Sequence, residues 1–453
     1  MNPRLPLLIC VWTYCLSWAF DYRAAEGTGG SPIQYVFFGI TLVSAAVVIL
    51  LGFRRLFILP MGWLTLGWGA YMVSSLVVAL VNRVEFVWYF RNSIPPLLLL
   101  TSLCVTQIAA SSGLHWKHVL WPMLIASVIN VFWRIFYALF MAGIPLEKVR
   151  VELLSPCLPF LMGYLFAGLA LSRRVPWLAI FAGSMGALSY VLSITRSAVF
   201  ILGAAGLGAV LALWQAGRLR GLPSGFFNMK LRHAAVVAGL LSVIMLLTAV
   251  AFPVVIERWT ERLFYTAGGE QSSADPSALT RFAETKAFIQ LLNQEPITWV
   301  YGRGLGFPYY WDESYAPELA QYTYGNEDEF RGYTADIRFP GHSIWTYAIF
   351  TGGAIGGLAY LGIFFVSTIG AFRSARLLRF VPDFPLETAY LPFICLMAFL
   401  SQSLTFNPFI ERGGGLVLGI VIGFPQFLHM AVWQAKKNPA RLATPSARSV
   451  PPA

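Results

Sequence analysis

Charge is what this chain lacks. Only 12% of its 453 residues are charged, against 57% hydrophobic, and a mean hydropathy of +0.65 lies far from that of a soluble globular protein. Cysteine is equally sparse: Cys10, Cys15, Cys104, Cys157 and Cys395 all lie in apolar runs without ligand-like spacing. Neither a disulfide nor a metal site is therefore expected. No repeat relates the two halves of the chain, which counts against a transporter built from duplicated units. Acidic residues are few, giving a net charge of +11. In a soluble protein that balance would point to nucleic acid, but basic cytoplasmic loops of a membrane protein account for it more simply, so no nucleic-acid partner is expected.

What is present is hydrophobic length. Apolar runs of roughly 20 residues, enough to cross a bilayer, predict an all-α polytopic membrane protein with about twelve transmembrane helices. They fall at 5–20, 33–52, 56–81, 93–110, 119–142, 153–171, 175–194, 198–214, 234–256, 343–371, 386–404 and 413–433. The chain divides accordingly into nine spans (1–256), one long polar loop (257–341), three further spans (342–433) and a tail (434–453). The tail is rich in Pro, Ala, Ser and Arg and reads as disordered. The apolar N-terminus reads as an uncleaved first helix, since many spans follow it.

Charge asymmetry orients the chain. With the N-terminus inside, one set of connections carries Arg54, Arg55, Lys117, Arg173, Arg174, Arg218 to Arg232, Arg373 to Arg379, Lys436 and Lys437, with Asp383 and Glu387 as its acids. The other set holds Asp21, Glu26, Glu85, Glu147, Glu152, the long loop and Glu411. The positive-inside rule then places both termini in the cytoplasm and the long loop outside.

Candidate functional residues cluster on that outer side. Arg134, in the outward half of the fifth span, either faces the bundle interior as a functional group or snorkels to the headgroups. Thr195, Arg196 and Ser197 occupy the short turn between the seventh and eighth spans. A cation and hydroxyls held there suit a phosphate group, and equally a helix end anchored to lipid. Asn407, Pro408 and Arg412 either line an outward cavity or form a short exposed loop. Gly352, Gly353, Gly356 and Gly357, as small-xxx-small pairs, read as packing residues.

The loop itself predicts an amphipathic helix. Asp275 can cap it with Pro276 in its first turn, and Leu279, Phe282, Ala283, Phe288 or Ile289, and Leu292 recur at helical spacing until Pro296. Its apolar stripe can lie on the bilayer or on the outer ends of the spans, holding Arg281 over the membrane mouth; otherwise Arg281 is a solvated charge paired with Glu284 or Glu257. Gly302, Gly304 and Gly306 around Arg303 fit neither a Rossmann nor a P-loop fingerprint. They offer either amides facing an anion or a plain turn. The following stretch, PYYWDESYAPELAQYTYGNEDEFRGY, has the aromatic faces and carboxylates of a carbohydrate surface, a composition that membrane interfaces also favour. His342 then opens the tenth span, where the positive end of the helix dipole favours a neutral ring able to act as a base.

In combination these motifs resemble the O-antigen ligase and polymerase superfamily, the Wzy/WaaL group. The shared features are the roughly twelve-span plan, the large late outer loop, and the arginine within Thr195 to Ala198. Arg281 followed by the G-x-G-x-G turn at Gly302 to Gly306, and the histidine opening a GG-x-x-GG helix, complete the likeness. The resemblance implies a GT-C-like membrane glycosyltransferase of the bacterial inner membrane with a periplasmic active site and loop. Its donor would be a glycan on undecaprenyl pyrophosphate and its acceptor lipid A-core or another glycan, with no cofactor or metal. Carried across, Arg196, Arg281 and Arg303 would bind the pyrophosphate and His342 would be the catalytic base, with Thr195, Ser197, Arg134 and Ser343 in support. Ser343 departs from the family, which carries Asn after the histidine. The acceptor distinguishes a ligase, favoured here, from a polymerase or a protein O-oligosaccharyltransferase; a lipid-carrier flippase is the rival class.

Overall fold

The structure, a computed structural model, describes residues 4–20, 32–58, 60, 62–141, 153–220, 245–253, 276–310, 313–315 and 340–437, with isolated residues elsewhere between 235 and 259. Among these the chain is helical: α1 (Arg4–Ser17), α2 (Pro32–Gly52), α3 (Gly62–Val81), α4 (Phe86–Ser111), α5 (Lys117–Phe136), α6 (Leu158–Leu171), α7 (Trp177–Ser193) and α8 (Ser197–Arg220) come first. Two loop helices follow, α9 (Pro276–Gln294) and the single turn α10 (Thr298–Tyr301). The last group is α11 (Ile344–Leu361), α12 (Ser367–Ser374), α13 (Leu386–Thr405), α14 (Arg412–Gly423) and α15 (Gln426–Lys437). Seven helical runs among the described residues are long and apolar enough to cross a membrane, with Arg4–Phe20, Leu158–Leu171 and Trp177–Ser193 as shorter apolar helices. Eleven of the predicted spans thus coincide with helices, and within the ninth, 234–256, the described residues 245–251 are helical too. Several of its other positions lie outside the described residues. So do Asp275, most of the aromatic and acidic stretch, and the tail beyond Lys437. Residues 434–437, predicted as the start of that tail, continue α15 as helix.

The core is the pair α4 and α14. Gly415, Gly419 and Gly423 recur every fourth residue on α14, and a side chain at any of them would meet α4: Pro95, Leu99 at 2.6 Å and Thr106 at 2.7 Å. Small residues at helical spacing are what allow two apolar helices to pack backbone to backbone in lipid. The charges at the helix ends sort to two ends of the bundle. One end is basic, with Arg54, Arg55, Arg373, Arg379, Lys436 and Lys437 in terminal turns, and Lys436 lies 5.6 Å above the Phe380 ring there. The other end carries Arg134, Arg196, His342 and Glu411.

At that second end α9 docks through a small apolar core of its own. Ala283, Ala287, Phe288 and Leu292 are buried against Ala79 of α3, Tyr89 of α4, and Tyr347 and Phe350 of α11. Phe288 stacks on Phe350 with centroids 4.3 Å apart. The predicted stripe is therefore real but narrower. Phe282 and Ile289 are exposed, because they fall on a different face of the helix from 283, 287, 288 and 292.

Candidate active site

The turn that presents His342 is held by two buried residues from distant parts of the chain. Glu284 of α9 is the first. Its Oε2 accepts the backbone N–H of His342 at 2.9 Å, its Oε1 accepts the Tyr309 hydroxyl at 2.8 Å, and Oε1 lies 3.6 Å from His342 Nδ1. The carboxylate side chain is 1% exposed and the imidazole 37%, so the acid is sealed behind a base that solvent can reach. Gly341, with φ of +66°, makes this approach possible, since a side chain there would lie 3.3 Å from the Glu284 carboxylate. Burial, then the adjacent Glu284 charge, pushes the Tyr309 phenol far above its ordinary range, so Tyr309 stays a hydrogen-bond donor.

Asn407 is the second. Its Nδ2 donates to the carbonyls of Pro340 at 2.5 Å and Gly341 at 3.1 Å, while its Oδ1 accepts the Phe409 N–H at 2.9 Å. One side chain thereby ties the loop between α13 and α14 to the residues just before His342. Ser343 follows as the N-cap of α11, without a side-chain capping bond.

A carboxylate facing Nδ1 favours the tautomer with the proton on that nitrogen, leaving Nε2 as the acceptor. A ring so oriented can take a proton from a hydroxyl at Nε2. The 3.6 Å separation is longer than a hydrogen bond, so the two groups face each other without one.

Arg281 lies one turn before Glu284 on α9, half-buried, its carbonyl accepting the Thr285 hydroxyl at 2.7 Å. Residues three apart share a helix face, so Arg281 lies on the same face of α9 as Glu284. Arg196 reaches the same end of the bundle from the turn between α7 and α8. Ile194 there adopts φ of +49°, a left-handed conformation that a β-branched residue adopts only under strain. The Trp259 indole caps the preceding helix through the Val191 carbonyl at 2.8 Å, and Thr195 donates to the Ser193 carbonyl at 3.0 Å. Ser197 lines a cavity that it shares with Phe406, Pro408 and Glu411 of the Asn407 loop. The Arg196 turn and the His342 turn thus flank one loop.

Arg303 and Arg134 are committed elsewhere. Arg303 is buried, with one guanidinium nitrogen on the Leu291 carbonyl at 2.6 Å and another on Glu295 at 3.1 Å. Leu291 is in the last turn of α9, where carbonyls lack helical partners and the dipole favours a cation. The glycine turn around Arg303 is likewise a packing device and not an anion nest. Gly353 interrupts α11 with φ of +58° and ψ of −149°, which frees the carbonyls of Phe350 and Thr351. The amides of Arg303 and Gly304 take them, each at 2.8 Å. Side chains at Gly304 and Gly306 would strike Ala79 at 2.7 Å and Trp88 at 2.6 Å. Arg134 is 2% exposed and forms a two-pronged pair with Glu411, Nη1 to Oε1 at 3.1 Å and Nη2 to Oε2 at 2.5 Å. It faces the bundle interior, with Asn130 and the Leu154 carbonyl as further partners, and does not snorkel.

Glu284 and Asn407 carry more of this site than sequence reasoning assigned to them. Glu284 sits in TRFAETKAF among polar neighbours and reads as a solvated charge, yet its side chain is fully buried. Among the described residues no three His, Cys, Asp or Glu side chains gather as metal ligands would. In comparisons with known proteins, no family model and no curated sequence matches the chain.

Proposed function

We propose that the protein is a membrane glycosyltransferase that moves an oligo- or polysaccharide from undecaprenyl pyrophosphate to a saccharide hydroxyl at the periplasmic face of the bacterial inner membrane. In this reading it acts in the manner of an O-antigen ligase with lipid A-core as acceptor. The observation that carries the reading is the half-buried imidazole of His342 backed by the sealed carboxylate of Glu284, with Arg281 one turn before Glu284. Nε2 of His342 accepts the proton of the acceptor hydroxyl as its oxygen attacks the anomeric carbon. The bond from that carbon to the pyrophosphate oxygen breaks, and the charge developing there is met by Arg196 and Arg281. Arginines serve this purpose because their planar, permanently charged groups pair with phosphate through two hydrogen bonds. Arg303 and Arg134 are left out of that role, since each guanidinium is held within the chain, Arg303 by the Leu291 carbonyl and Glu295 and Arg134 by Glu411. A single displacement inverts the anomeric configuration.

The exposed Phe282 and Ile289 on α9, with Ile297 and Val300 close by, support a loop that rests on the headgroup region while its other face packs on the bundle. The pairing of Arg134 also weakens the flippase reading, because the charge that reading would leave unmatched within the fifth span has a bidentate partner.

The test is transfer by the purified protein in nanodiscs, with lipid-linked oligosaccharide, a lipid A-core acceptor and a chelator present. Wild type should transfer and His342→Ala should lose transfer by about 100-fold or more, the usual contribution of a positioned base. Undiminished transfer by that variant, or product that retains the donor configuration, would refute the assignment. Gene disruption separates the subtypes: loss of a ligase leaves finished polymer on carrier lipid, and loss of a polymerase leaves single repeats.

A further inference from the structure

The segment that follows α9 leaves the level of that helix and returns to it. Val300 and Tyr301 set their backbones against Gly353, and Gly302 lies against Thr351 and Gly352; Gly304 then rests on Ala79, near the end of α3, and Gly306 on Trp88, near the start of α4. Two rulers give the depth. Gly353 is nine residues beyond Ile344, the first residue of α11, which is roughly 13 Å at about 1.5 Å per residue. The second ruler is α3, whose 20 residues match a hydrocarbon core of about 30 Å. A side chain at Gly352 would meet the Tyr71 ring at 3.0 Å, and Tyr71 lies halfway along α3. The turn at 300–302 therefore stands inside the length of α3, not above it.

Non-helical backbone survives at that depth only where protein satisfies it, and here it is satisfied. The amide of Gly302 donates to the Thr298 carbonyl at 2.7 Å, and those of Arg303 and Gly304 to the carbonyls freed by the α11 break, each at 2.8 Å. Asn82 donates to the Arg303 carbonyl at 3.1 Å. The two charges between 295 and 304 neutralise each other, Arg303 Nη1 on Glu295 Oε1 at 3.1 Å, and Trp299 gives its indole proton to Asn293 at 3.0 Å. What the segment exposes is apolar: Ile297 is 58%, Trp299 39% and Val300 50% exposed. Within a turn of its contacts, α3 and α11 expose Val77, Leu80, Ile349 and Ile355 as well, so these side chains continue the apolar wall of the bundle.

We infer that residues 297–302 are a re-entrant segment, which enters the bilayer from the face bearing His342, presents Ile297, Trp299 and Val300 to lipid acyl chains, and leaves by the same face. α9 rests at the level of the headgroups, and this turn anchors it from below. Continuity with the lipid-facing wall selects acyl chains as the partner. A water-filled cavity at the same depth would be lined by polar side chains, and Ile297, Trp299 and Val300 do not supply them. This placement does not depend on the transferase reading.

The experiment is a nitroxide depth measurement on the full chain in nanodiscs. A spin label is attached at Val300→Cys, at Val77→Cys as the lipid reference, or at Ser314→Cys, an exposed loop position, as the water reference; the unsubstituted chain, with four buried cysteines and a partly buried Cys10, is the blank. Collisions with oxygen, which concentrates in the bilayer, should exceed those with a water-soluble nickel chelate at Val300 as they do at Val77, with the nickel collisions seen at Ser314 lost. Nickel collisions at Val300 equal to those at Ser314 would overturn the inference. A second measurement needs no label. Val300→Asp should lower the thermal midpoint well below that of Val300→Leu, because a short charged side chain in hydrocarbon can neither pair nor reach the headgroups. Equal midpoints for the two variants would show that position 300 faces water, and would overturn the inference as well.

Discussion

At the scale of single residues, Glu284 defines the site. A carboxylate with both oxygens engaged by Tyr309 and the His342 backbone is neither a solvated charge nor a general surface acid. It fixes where the imidazole stands. Glu284→Gln keeps the shape but replaces one acceptor by an NH₂ group facing donors, and it removes the charge that selects the Nδ1–H tautomer. Turnover should fall by up to about 10⁴-fold, the scale of loss when the carboxylate that orients a histidine base becomes an amide, with KM for the lipid-linked donor nearly unchanged; steady-state kinetics in nanodiscs would read this. A fall in donor affinity with turnover preserved would show that Glu284 serves only to hold α9. Arg303 makes the opposite prediction. Arg303→Ala should lower the unfolding midpoint, leaving the terminal carbonyl of Leu291 without its donor at a cost of about 1–3 kcal/mol, while the folded fraction keeps its donor affinity. A specific loss of pyrophosphate binding in a variant of normal stability would return Arg303 to the site.

At the scale of elements, the loop is attached to the bundle by a break in α11. Gly353 occupies a backbone region that only glycine enters at low cost, about 1–3 kcal/mol for any other residue. Through that break the carbonyls of Phe350 and Thr351 receive the amides of Arg303 and Gly304. Gly353→Ala should release 276–310 from the bundle, seen as new protease cleavage there, with the spans still folded; protection equal to wild type would show that the break is not what attaches the loop. The sequence reading assigned Gly352, Gly353, Gly356 and Gly357 a packing role and placed a loop helix between Pro276 and Pro296, because composition and helical spacing are local signals; the break at Gly353 is not one of them. It could not distinguish an anion nest from a wedge at Gly302 to Gly306, since that choice depends on carbonyls freed some fifty residues later. Glu284 was hidden for the same reason: its partners at 309 and 342 come from separate segments, and nothing adjacent in sequence marks it as buried. Asn407 was visible as a candidate, but its clamp on Pro340 and Gly341 exists only in three dimensions.

At the scale of the whole molecule, hydropathy and charge made the helical layout and its basic end legible, because both are summed over many residues and tolerate local error. The Arg134–Glu411 pair joins α5 to the start of α14 and, through the Asn407 loop, to the His342 turn. Breaking a buried pair from one side costs about 3–5 kcal/mol, whereas replacing both partners with apolar residues of similar volume is often neutral. Glu411→Ala should therefore unfold at markedly lower temperature than Arg134→Met combined with Glu411→Leu, measured by thermal unfolding in detergent. Equal midpoints would show that the pair carries no such coupling.

Under the proposed transferase function, Arg196, from the turn between α7 and α8, and Arg281, from the loop helix, serve the same pyrophosphate. A double-mutant cycle on undecaprenyl pyrophosphate binding tests it directly, since residues that share one ligand group have non-additive effects and distant ones add within about 0.3–0.5 kcal/mol. The account predicts a clear loss of affinity for Arg196→Ala and for Arg281→Ala, and a loss for the double variant that departs from their sum. Additive losses, or wild-type affinity in either single variant, would contradict it.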